Sequence, residues 1–340
     1  MPGARVKAMR TAEVVAALTA LALAGAAAGP AVAQAAPNPW WTGFENAARA
    51  VRLPDGRVLN LYCEGAGGPV VILDSGLGDD ASSWRKVQDP IAATTRVCAY
   101  DRAGYGKSNP GPLPRDTKAE VEDLEQLLKA ARLPGPYVLV GHSMASFNVR
   151  LFAFRHPKDV AGIVLVDPSA DNQMPALTAA APATVKLQEA QIARLRDCAG
   201  PEATPQMLKG CAVPPPFDLP PALAGRGVGR PAPTTLATVL AEYDAFGDLD
   251  SKETVAARRP LGAIPLIVLT AADTTKSLGA NPQEVAAAGL VWSRLHDDIA
   301  TLSTRGVNRQ VAGSGHYIQM QKPQVVIDAV DEVVAAARAR

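Results

Sequence analysis

Short apolar runs rich in β-branched residues recur along the chain, and stretches with a helical spacing of apolar positions separate them. Most of these runs are continuous rather than alternating, which is typical of strands buried on both faces of a parallel sheet. Seven strands are predicted in this way: 57–63, 69–73, 95–100, 137–140, 162–166, 265–270 and 307–311.

Amphipathic helices are predicted at 116–132, 282–302 and 323–338. In the first of them, Val121, Leu124 and Leu128 recur at intervals of three and four residues, so they share one helix face. The alternation of strands and helices predicts an α/β fold, with a mostly parallel central sheet flanked by helices.

One segment, 170–261, interrupts this alternation. It contains the proline clusters 214–216 and 220–221, no good strand pattern, and helical patterns at 184–196 and 234–246. We predict a mainly helical insertion here, over one edge of the sheet. The core is then formed by 36–169 and 262–340.

The N-terminal segment differs in composition from the rest of the chain. Arg5, Lys7 and Arg10 give it a basic start, and 14–29 is almost entirely Ala, Leu, Val and Gly, followed by small-x-small cleavage sequences. This pattern predicts a signal peptide over 1–35, and therefore a secreted or periplasmic protein. The alternative is a membrane anchor, but the apolar run is shorter than the ~20 residues that a spanning helix needs.

Four cysteines follow that segment, and an exported protein can form disulfides. Cys198 and Cys211 lie close together within the insertion and are candidates for one bridge. Cys63 and Cys98 fall on two predicted strands, so their pairing depends on the strand order. Four buried thiols are the alternative. The cysteine spacing matches no zinc pattern, so no metal is expected.

Charge excludes several classes of partner. The net charge is +1 over 340 residues, which provides no basic surface for nucleic acid or for anionic lipids. We therefore expect no nucleic acid partner and no membrane association beyond export. Composition carries no information on the oligomeric state.

The most informative motif is Gly-His-Ser-Met-Ala at 141–145, between the strand 137–140 and a helix. It is close to the G-x-S-x-G nucleophile elbow, a tight turn that exposes a serine hydroxyl above the sheet. Small residues on both sides let the backbones pack closely, and Ala145 takes the place of the second glycine. The pattern predicts Ser143 as a nucleophile, with a serine that merely caps the helix as the alternative. The Met144 amide, at the helix N-terminus, is then a donor to a developing oxyanion.

The chain has four histidines, so a general base for this serine is readily sought. His142 adjoins the serine and should point away from it, His156 ends a helix, and His296 is expected on a solvated helix face. His316 lies in Gly-Ser-Gly-His-Tyr at 313–317, between the last strand and the last helix. We predict that His316 takes the serine proton and later returns it.

Together these motifs resemble the α/β-hydrolase fold family, in particular its lid-bearing group of small esterases and proline iminopeptidases. The resemblance extends over about 45–335 and implies that the helical insertion is a lid. It implies a catalytic acid after the strand 265–270, which is Asp273, in the chain order Ser, Asp, His. Asp167, at the end of the strand 162–166, is the alternative acid.

The loop Asp-Ser-Gly-Leu-Gly at 74–78 follows the strand 69–73. In this family the loop at that place supplies a second oxyanion donor and usually reads His-Gly-x. Here Ser75 replaces the histidine. We assign this donor to the backbone amide of Leu77. The loop 101–108 resembles the family's Asp-x-x-Gly-x-Gly-x-Ser loop, with a supporting role near the site.

The same residues permit a second interpretation. Gly76-x-Gly78-x-x-Ala81, with Asp101 at the end of the next strand, imitates a dinucleotide-binding fingerprint. The helix that should follow is short and interrupted by Pro90. A nicotinamide site would also leave the serine and histidine motifs without a role.

The predicted activity is that of a serine hydrolase acting by acyl transfer on carboxylic esters of small molecules, without metal or organic cofactor. An aminopeptidase or amidase of the proline iminopeptidase type is the alternative. A non-catalytic ligand-binding relative would be expected to lack a triad member, and Ser143, Asp273 and His316 are all present. A serine at the elbow also excludes dehalogenases and epoxide hydrolases, which need aspartate there.

Overall fold

The computed structural model describes residues 48–199, 233–275 and 281–340. The predicted signal peptide and Cys211 lie outside these residues. Within the described part, eight strands form one sheet. They are β1 (Ala48–Arg52), β2 (Val58–Glu64), β3 (Val70–Asp74), β4 (Val97–Tyr100), β5 (Tyr137–His142), β6 (Val160–Val166), β7 (Leu266–Ala271) and β8 (Gly306–Val311).

The strands are ordered β1-β2-β4-β3-β5-β6-β7-β8. Pairing is antiparallel between β1, β2 and β4, and parallel from β4 through to β8. Every residue of β3, β5, β6 and β7 is buried, because these central strands have helices on both sides. The predicted α/β fold with a mostly parallel sheet is confirmed.

Helices cover both faces of this sheet. They are α1 (Gln88–Ala92), α2 (Thr117–Ala130), α3 (Ala145–Arg155), α4 (Gln173–Ala180), α5 (Pro182–Ala199), α6 (Pro233–Phe246), α7 (Leu249–Ala257), α8 (Pro282–Ala300), α9 (Ile318–Gln321) and α10 (Pro323–Arg338). One apolar cluster contains the buried faces of α2, α3 and α8, and a second contains those of α1 and α10. The three amphipathic helices predicted from the sequence correspond to α2, α8 and α10.

Between β6 and β7 the chain forms the helices α4, α5, α6 and α7. The predicted helices 184–196 and 234–246 lie within α5 and α6. Residues 200–232 lie outside the described part of the chain, so the limits of the insertion, 170–261, stay a prediction.

A disulfide joins two neighbouring strands of the sheet. Cys63 on β2 lies directly opposite Cys98 on β4, and the two are bonded. The strand order therefore settles this pairing. Cys198 is also in a disulfide. Its predicted partner, Cys211, lies outside the described residues, so that pairing stays a prediction.

Removing the Cys63–Cys98 bridge should destabilise the fold. The bond closes a loop with a sequence separation of 35. For that length, the chain-entropy relation gives a loss of about 3–4 kcal/mol in the free energy of unfolding. Urea unfolding of the C63A/C98A double variant against the unmutated protein measures it. In a strongly reducing buffer the difference should shrink to about 1 kcal/mol. A loss of that small size under oxidising conditions would contradict the prediction.

Candidate active site

The chain makes a strained turn between β5 and α3. Ser143 has a φ of 53°, in the left-handed region that side chains rarely occupy, and α3 begins at Ala145. A Cβ on Gly141 would lie 2.9 Å from the Ala145 carbonyl oxygen, so glycine is required there. The Ser143 amide donates to the Val166 carbonyl at 3.1 Å, which ties the turn to β6. This turn has the geometry that an exposed, reactive serine needs.

His316 contacts Ser143 and a buried carboxylate at the same time. Its Nε2 lies 2.8 Å from Ser143 Oγ, and its Nδ1 lies 2.6 Å from Asp167 Oδ2. The His316 side chain is 29% exposed, whereas that of Asp167 is fully buried. The three side chains form one hydrogen-bonded series, open to solvent at the serine end.

The carboxylate that the structure places at His316 is Asp167, the alternative acid, whereas the sequence favoured Asp273. Strand β6 is the direct neighbour of β5, whereas β7 is one strand further away. Asp167 follows β6 immediately, with a φ of 42°, and this turn brings it beside the serine loop. Asp273 lies two residues beyond β7, and its backbone amide donates to the Ser314 carbonyl at 3.0 Å. Asp273 therefore shapes the loop before His316.

Asp167 is surrounded by hydrogen-bond donors. Its Oδ1 accepts from the Ala271 amide at 3.0 Å and from Trp292 Nε1 at 2.8 Å, and its Oδ2 also accepts from the Thr274 hydroxyl. Burial alone would raise its pKa. The hydrogen bonds from His316 and Thr274 outweigh that effect and hold the pKa of Asp167 below its ordinary value. The group is therefore an ionised, oriented carboxylate.

His296 lies behind this carboxylate, and the prediction that it faces solvent is wrong. Its side chain is buried. One ring nitrogen lies 2.7 Å from the Thr270 hydroxyl and the other 2.7 Å from the Pro168 carbonyl oxygen. Burial lowers the pKa of His296 to about 4, so the ring is neutral and fixes the turn after Asp167.

His142 forms a hydrogen bond to the backbone of His316. Its Nε2 lies 3.0 Å from the His316 carbonyl oxygen, which can only accept, so Nε2 carries the proton. Burial lowers the pKa of His142 to about 3, and the neutral ring therefore has an unprotonated Nδ1. Within the described residues this buried Nδ1 has no hydrogen-bond partner. It faces Asp79 Oδ2 at 3.8 Å.

Asp79 was not singled out by the sequence. The carboxyl is buried, and burial together with the neighbouring Asp80 raises its pKa to about 7. Tyr317 donates to Asp79 Oδ1 at 3.4 Å. A protonated Asp79 would place a donor 3.8 Å from His142 Nδ1, which is longer than a hydrogen bond.

The raised pKa of Asp79 makes a prediction about stability. Between the ordinary value of 3.8 and about 7, the folded protein keeps this proton while the unfolded chain loses it. The contribution of Asp79 to the free energy of unfolding therefore falls as the pH rises through that interval. The variant D79N keeps a neutral donor toward His142 at every pH. It should be more stable than the unmutated protein by about 2–4 kcal/mol at pH 8, and equally stable near pH 4.

Urea unfolding of both proteins at a series of pH values measures this difference. Other buried carboxyls, such as Asp101 and Glu120, contribute equally to the pH dependence of the free energy of unfolding in both proteins, so their contributions cancel in the difference. A D79N difference that does not change with pH would show that Asp79 is ionised in the folded protein.

The two predicted oxyanion donors belong to segments that adjoin the serine. Met144 is the N-cap residue of α3, directly after Ser143. Leu77 follows Gly76, where a Cβ would come within 3.3 Å of the Ser143 Cβ, so this loop passes directly against the elbow. Among the hydrogen bonds of the described residues, neither the Leu77 amide nor the Met144 amide has an acceptor. Both amides therefore keep an unused donor among these residues, and their role as oxyanion donors stays a prediction.

The dinucleotide interpretation does not fit this geometry. The Asp101 carboxylate, which would bind a ribose, is buried and accepts from Tyr62, Ala81 and Lys107 at 2.9–3.0 Å. The chain after Gly78 forms one 3₁₀ turn, Ala81–Trp84, and the five-residue α1.

No described group of His, Cys, Asp and Glu side chains could hold a metal ion. In the same part of the chain, no helix is long and apolar enough to cross a membrane.

A profile of the Alpha/beta hydrolase family matches residues 70–329. The chain belongs to this family. Among curated relatives of this hydrolase, the uncharacterized protein YqjL of Bacillus subtilis (strain 168) is 25% identical over 275 residues, which is 81% of this chain and 87% of YqjL. Other curated matches cover shorter parts of those proteins, from 15% to 41% of their length.

Solved structures of other hydrolases share the fold. An ancestral haloalkane dehalogenase superposes with a TM-score of 0.63 at 16% identity, over 86% of this chain and 100% of that chain. A thermophilic esterase from Thermogutta terrifontis superposes with a TM-score of 0.59 at 20% identity, over 85% and 98%. Such low identities show the fold alone.

Proposed function

We propose that this α/β hydrolase is a serine hydrolase acting by acyl transfer on carboxylic esters of small molecules. The observation that carries the proposal is the series Ser143 Oγ, His316 Nε2, His316 Nδ1 and Asp167 Oδ2, with separations of 2.8 and 2.6 Å across the two hydrogen bonds. These are the distances and the order of groups that an activated serine requires.

The reaction follows from these contacts. Asp167 accepts a hydrogen bond from the His316 Nδ1–H and does not take its proton, so the unprotonated Nε2 takes the Ser143 proton as Oγ attacks the carbonyl carbon and His316 becomes an imidazolium. The Leu77 and Met144 amides stabilise the oxyanion. The imidazolium then protonates the leaving alkoxide, and an acyl-enzyme remains. Water, deprotonated by His316, attacks this ester and releases the acid and the serine.

The residue at the elbow favours this chemistry over that of other hydrolases with the same fold. Dehalogenases and epoxide hydrolases of this family need an aspartate nucleophile, and the chain has Ser143 at that position. The resemblance to lid-bearing small esterases and proline iminopeptidases leaves two substrate classes, esters and aminoacyl amides.

Carboxylates of the insertion distinguish these two classes. An aminopeptidase needs a free carboxylate for the substrate amine. On α6 and α7, Glu242 is bonded to Arg102, Asp244 to Arg196, Asp248 to Lys252, and Asp250 to the Thr117 amide. Because these four carboxylates already have protein partners, none of the four is free to bind a substrate amine, which supports the ester proposal.

A panel of p-nitrophenyl esters, from acetyl to dodecanoyl, compared with prolyl and alanyl p-nitroanilides tests the substrate class. We expect kcat/KM for the best ester to exceed that for the best anilide by at least ~10²-fold. The opposite order would replace the ester proposal with the aminopeptidase one.

We also propose that the chain is exported, because 1–35 has the composition of a signal peptide. N-terminal sequencing of protein recovered from the periplasm or the culture medium should find a start after residue 33 or 35. A full-length N-terminus in the cell pellet would contradict export.

A further inference from the structure

Arg102, just beyond β4, is a fully buried cation that holds the loop after β3. Its Nη2 donates to the Gly76 carbonyl at 2.9 Å, and its Nη1 donates to the Ser75 carbonyl and to Asp74 Oδ1, the latter at 3.2 Å. One guanidinium therefore binds three successive residues of the loop that carries Leu77.

Glu242 of the insertion helix α6 holds Arg102 in turn. Its Oε1 accepts from Arg102 Nε at 3.1 Å, and its Oε2 accepts from Arg102 Nη2 at 3.2 Å and from the Tyr105 hydroxyl at 2.6 Å. The Tyr105 oxygen also accepts from the Gly78 amide at 3.3 Å. Through Arg102 and Tyr105, Glu242 of α6 is thus connected to the loop on both sides of Leu77, at Gly76 and at Gly78.

Because a peptide unit is planar, a contact that fixes the Gly76 carbonyl also fixes the Leu77 N–H. In a trans peptide the carbonyl and the following N–H point in opposite directions. Arg102 Nη2 and the Asp79 amide donate to the Gly76 carbonyl at 2.9 and 3.1 Å, so the Leu77 N–H of the same peptide unit must point away from both donors. Gly76 itself lies against Ser143, where a Cβ would come within 3.3 Å of the serine Cβ. Fixing the Gly76 carbonyl therefore fixes the direction of the amide beside the serine.

We propose that Glu242 is a positioning residue, which acts through Arg102 and Tyr105 to keep the Leu77 amide directed at the Ser143 hydroxyl. The oxyanion site then forms only when α6 packs on the core. This inference rests on the proposed serine hydrolase function.

The charges around Arg102 are consistent with this role. Asp74 and Glu120 also lie within 3.6 Å of the guanidinium, so the cation stays partnered when Glu242 is neutralised. A glutamine at 242 loses one of the two oxygens through which α6 accepts from Arg102 and Tyr105. A substitution at 242 should therefore leave no unpaired charge on Arg102, and its main effect should be on the geometry of the loop 74–78.

The test compares E242Q with the unmutated enzyme on the best ester. Glutamine keeps the shape of the side chain but can accept at only one of the two terminal atoms. We expect kcat to fall by ~10–10²-fold, with KM changed less than ~3-fold, because the amide acts on the oxyanion of the transition state. The rate of labelling by a fluorophosphonate should fall in parallel, and the pH dependence of kcat should keep its inflection points.

Two further variants make the test decisive. E253Q, on the neighbouring helix α7, neutralises a carboxylate that accepts from the Lys118 amide, and it should behave as the unmutated enzyme. Y105F removes the hydroxyl between Glu242 and Gly78. It should lower kcat by ~3–10-fold, and it keeps the inference testable if E242Q fails to fold.

The outcomes separate the two proposals. An unmutated enzyme that neither hydrolyses esters nor labels would overturn the serine hydrolase function, and this inference with it. In an active enzyme, folded E242Q and Y105F with an unchanged kcat would overturn the positioning role alone. A rise in KM without a fall in kcat would also overturn it, since that pattern indicates a loss of substrate binding under the insertion.

Discussion

Replacing Ser143 with alanine should lower kcat on the best ester by at least ~10⁴-fold, because no acyl-enzyme can form without the nucleophile. The residual rate would come from the oxyanion donors and from substrate binding. Steady-state hydrolysis by purified S143A protein measures this loss. Circular dichroism confirms that the variant is folded, and removal of a hydroxyl from a strained turn should change stability little.

S293A provides the matched control. Ser293 lies on α8, where its hydroxyl accepts from Gln310 at 2.9 Å on the protein surface. This variant should retain the full rate. If S143A keeps more than about 1% of kcat, the serine is not the nucleophile.

Replacing Asp167 with asparagine should lower kcat/KM by about 10³–10⁴-fold at neutral pH. The amide can present a donor to His316 Nδ1, which favours the tautomer with the proton on Nε2, and that tautomer cannot take the serine proton. The packing of Trp292 and Ala271 against the side chain should survive, because asparagine keeps an acceptor.

D273N is the variant that distinguishes the two candidate acids. It should cost less than ~10-fold, since Asp167 is the carboxylate bonded to His316 Nδ1, and the Asp273 backbone amide, which the substitution keeps, contacts the loop before His316. Steady-state kinetics of both variants with one ester decide the matter. A severe loss in D273N combined with near-normal activity in D167N would restore the acid expected from the sequence.

The fold was accessible from the sequence where burial imposes a pattern. Central strands such as β5 and β6 are buried on both faces and therefore consist of continuous apolar runs. Strand β1 escaped detection because only Val51 of its five residues is buried at the edge of the sheet. The pairing of Cys63 with Cys98 could not be predicted, since it required knowing that β2 and β4 are neighbours.

Site residues set by local motifs were easier to predict than those set by strand adjacency. Ser143 and His316 lie in short glycine-containing turns with a recognisable sequence. Asp167 and Asp273 both follow strands, and only the order of β5, β6 and β7 decides which one reaches the histidine. Glu242 had no signal, because it meets Arg102 from 140 positions away.

The prediction that His296 faces solvent rests on its immediate neighbours, Asp297 and Asp298. A helical spacing would have been the better guide, because His296 lies four residues after Trp292 and three before Ile299, and all three are buried. Helix periodicity therefore held the information, whereas adjacency in sequence did not.

The most direct test of the serine hydrolase function is labelling of the purified protein with a fluorophosphonate, followed by peptide mapping. Such a probe phosphonylates only a serine that is activated by a neighbouring base. The proposal predicts a single modified peptide with the label on Ser143, no label in S143A, and strongly reduced labelling in D167N. A folded protein that remains unlabelled, or that carries the label on another residue, would contradict it.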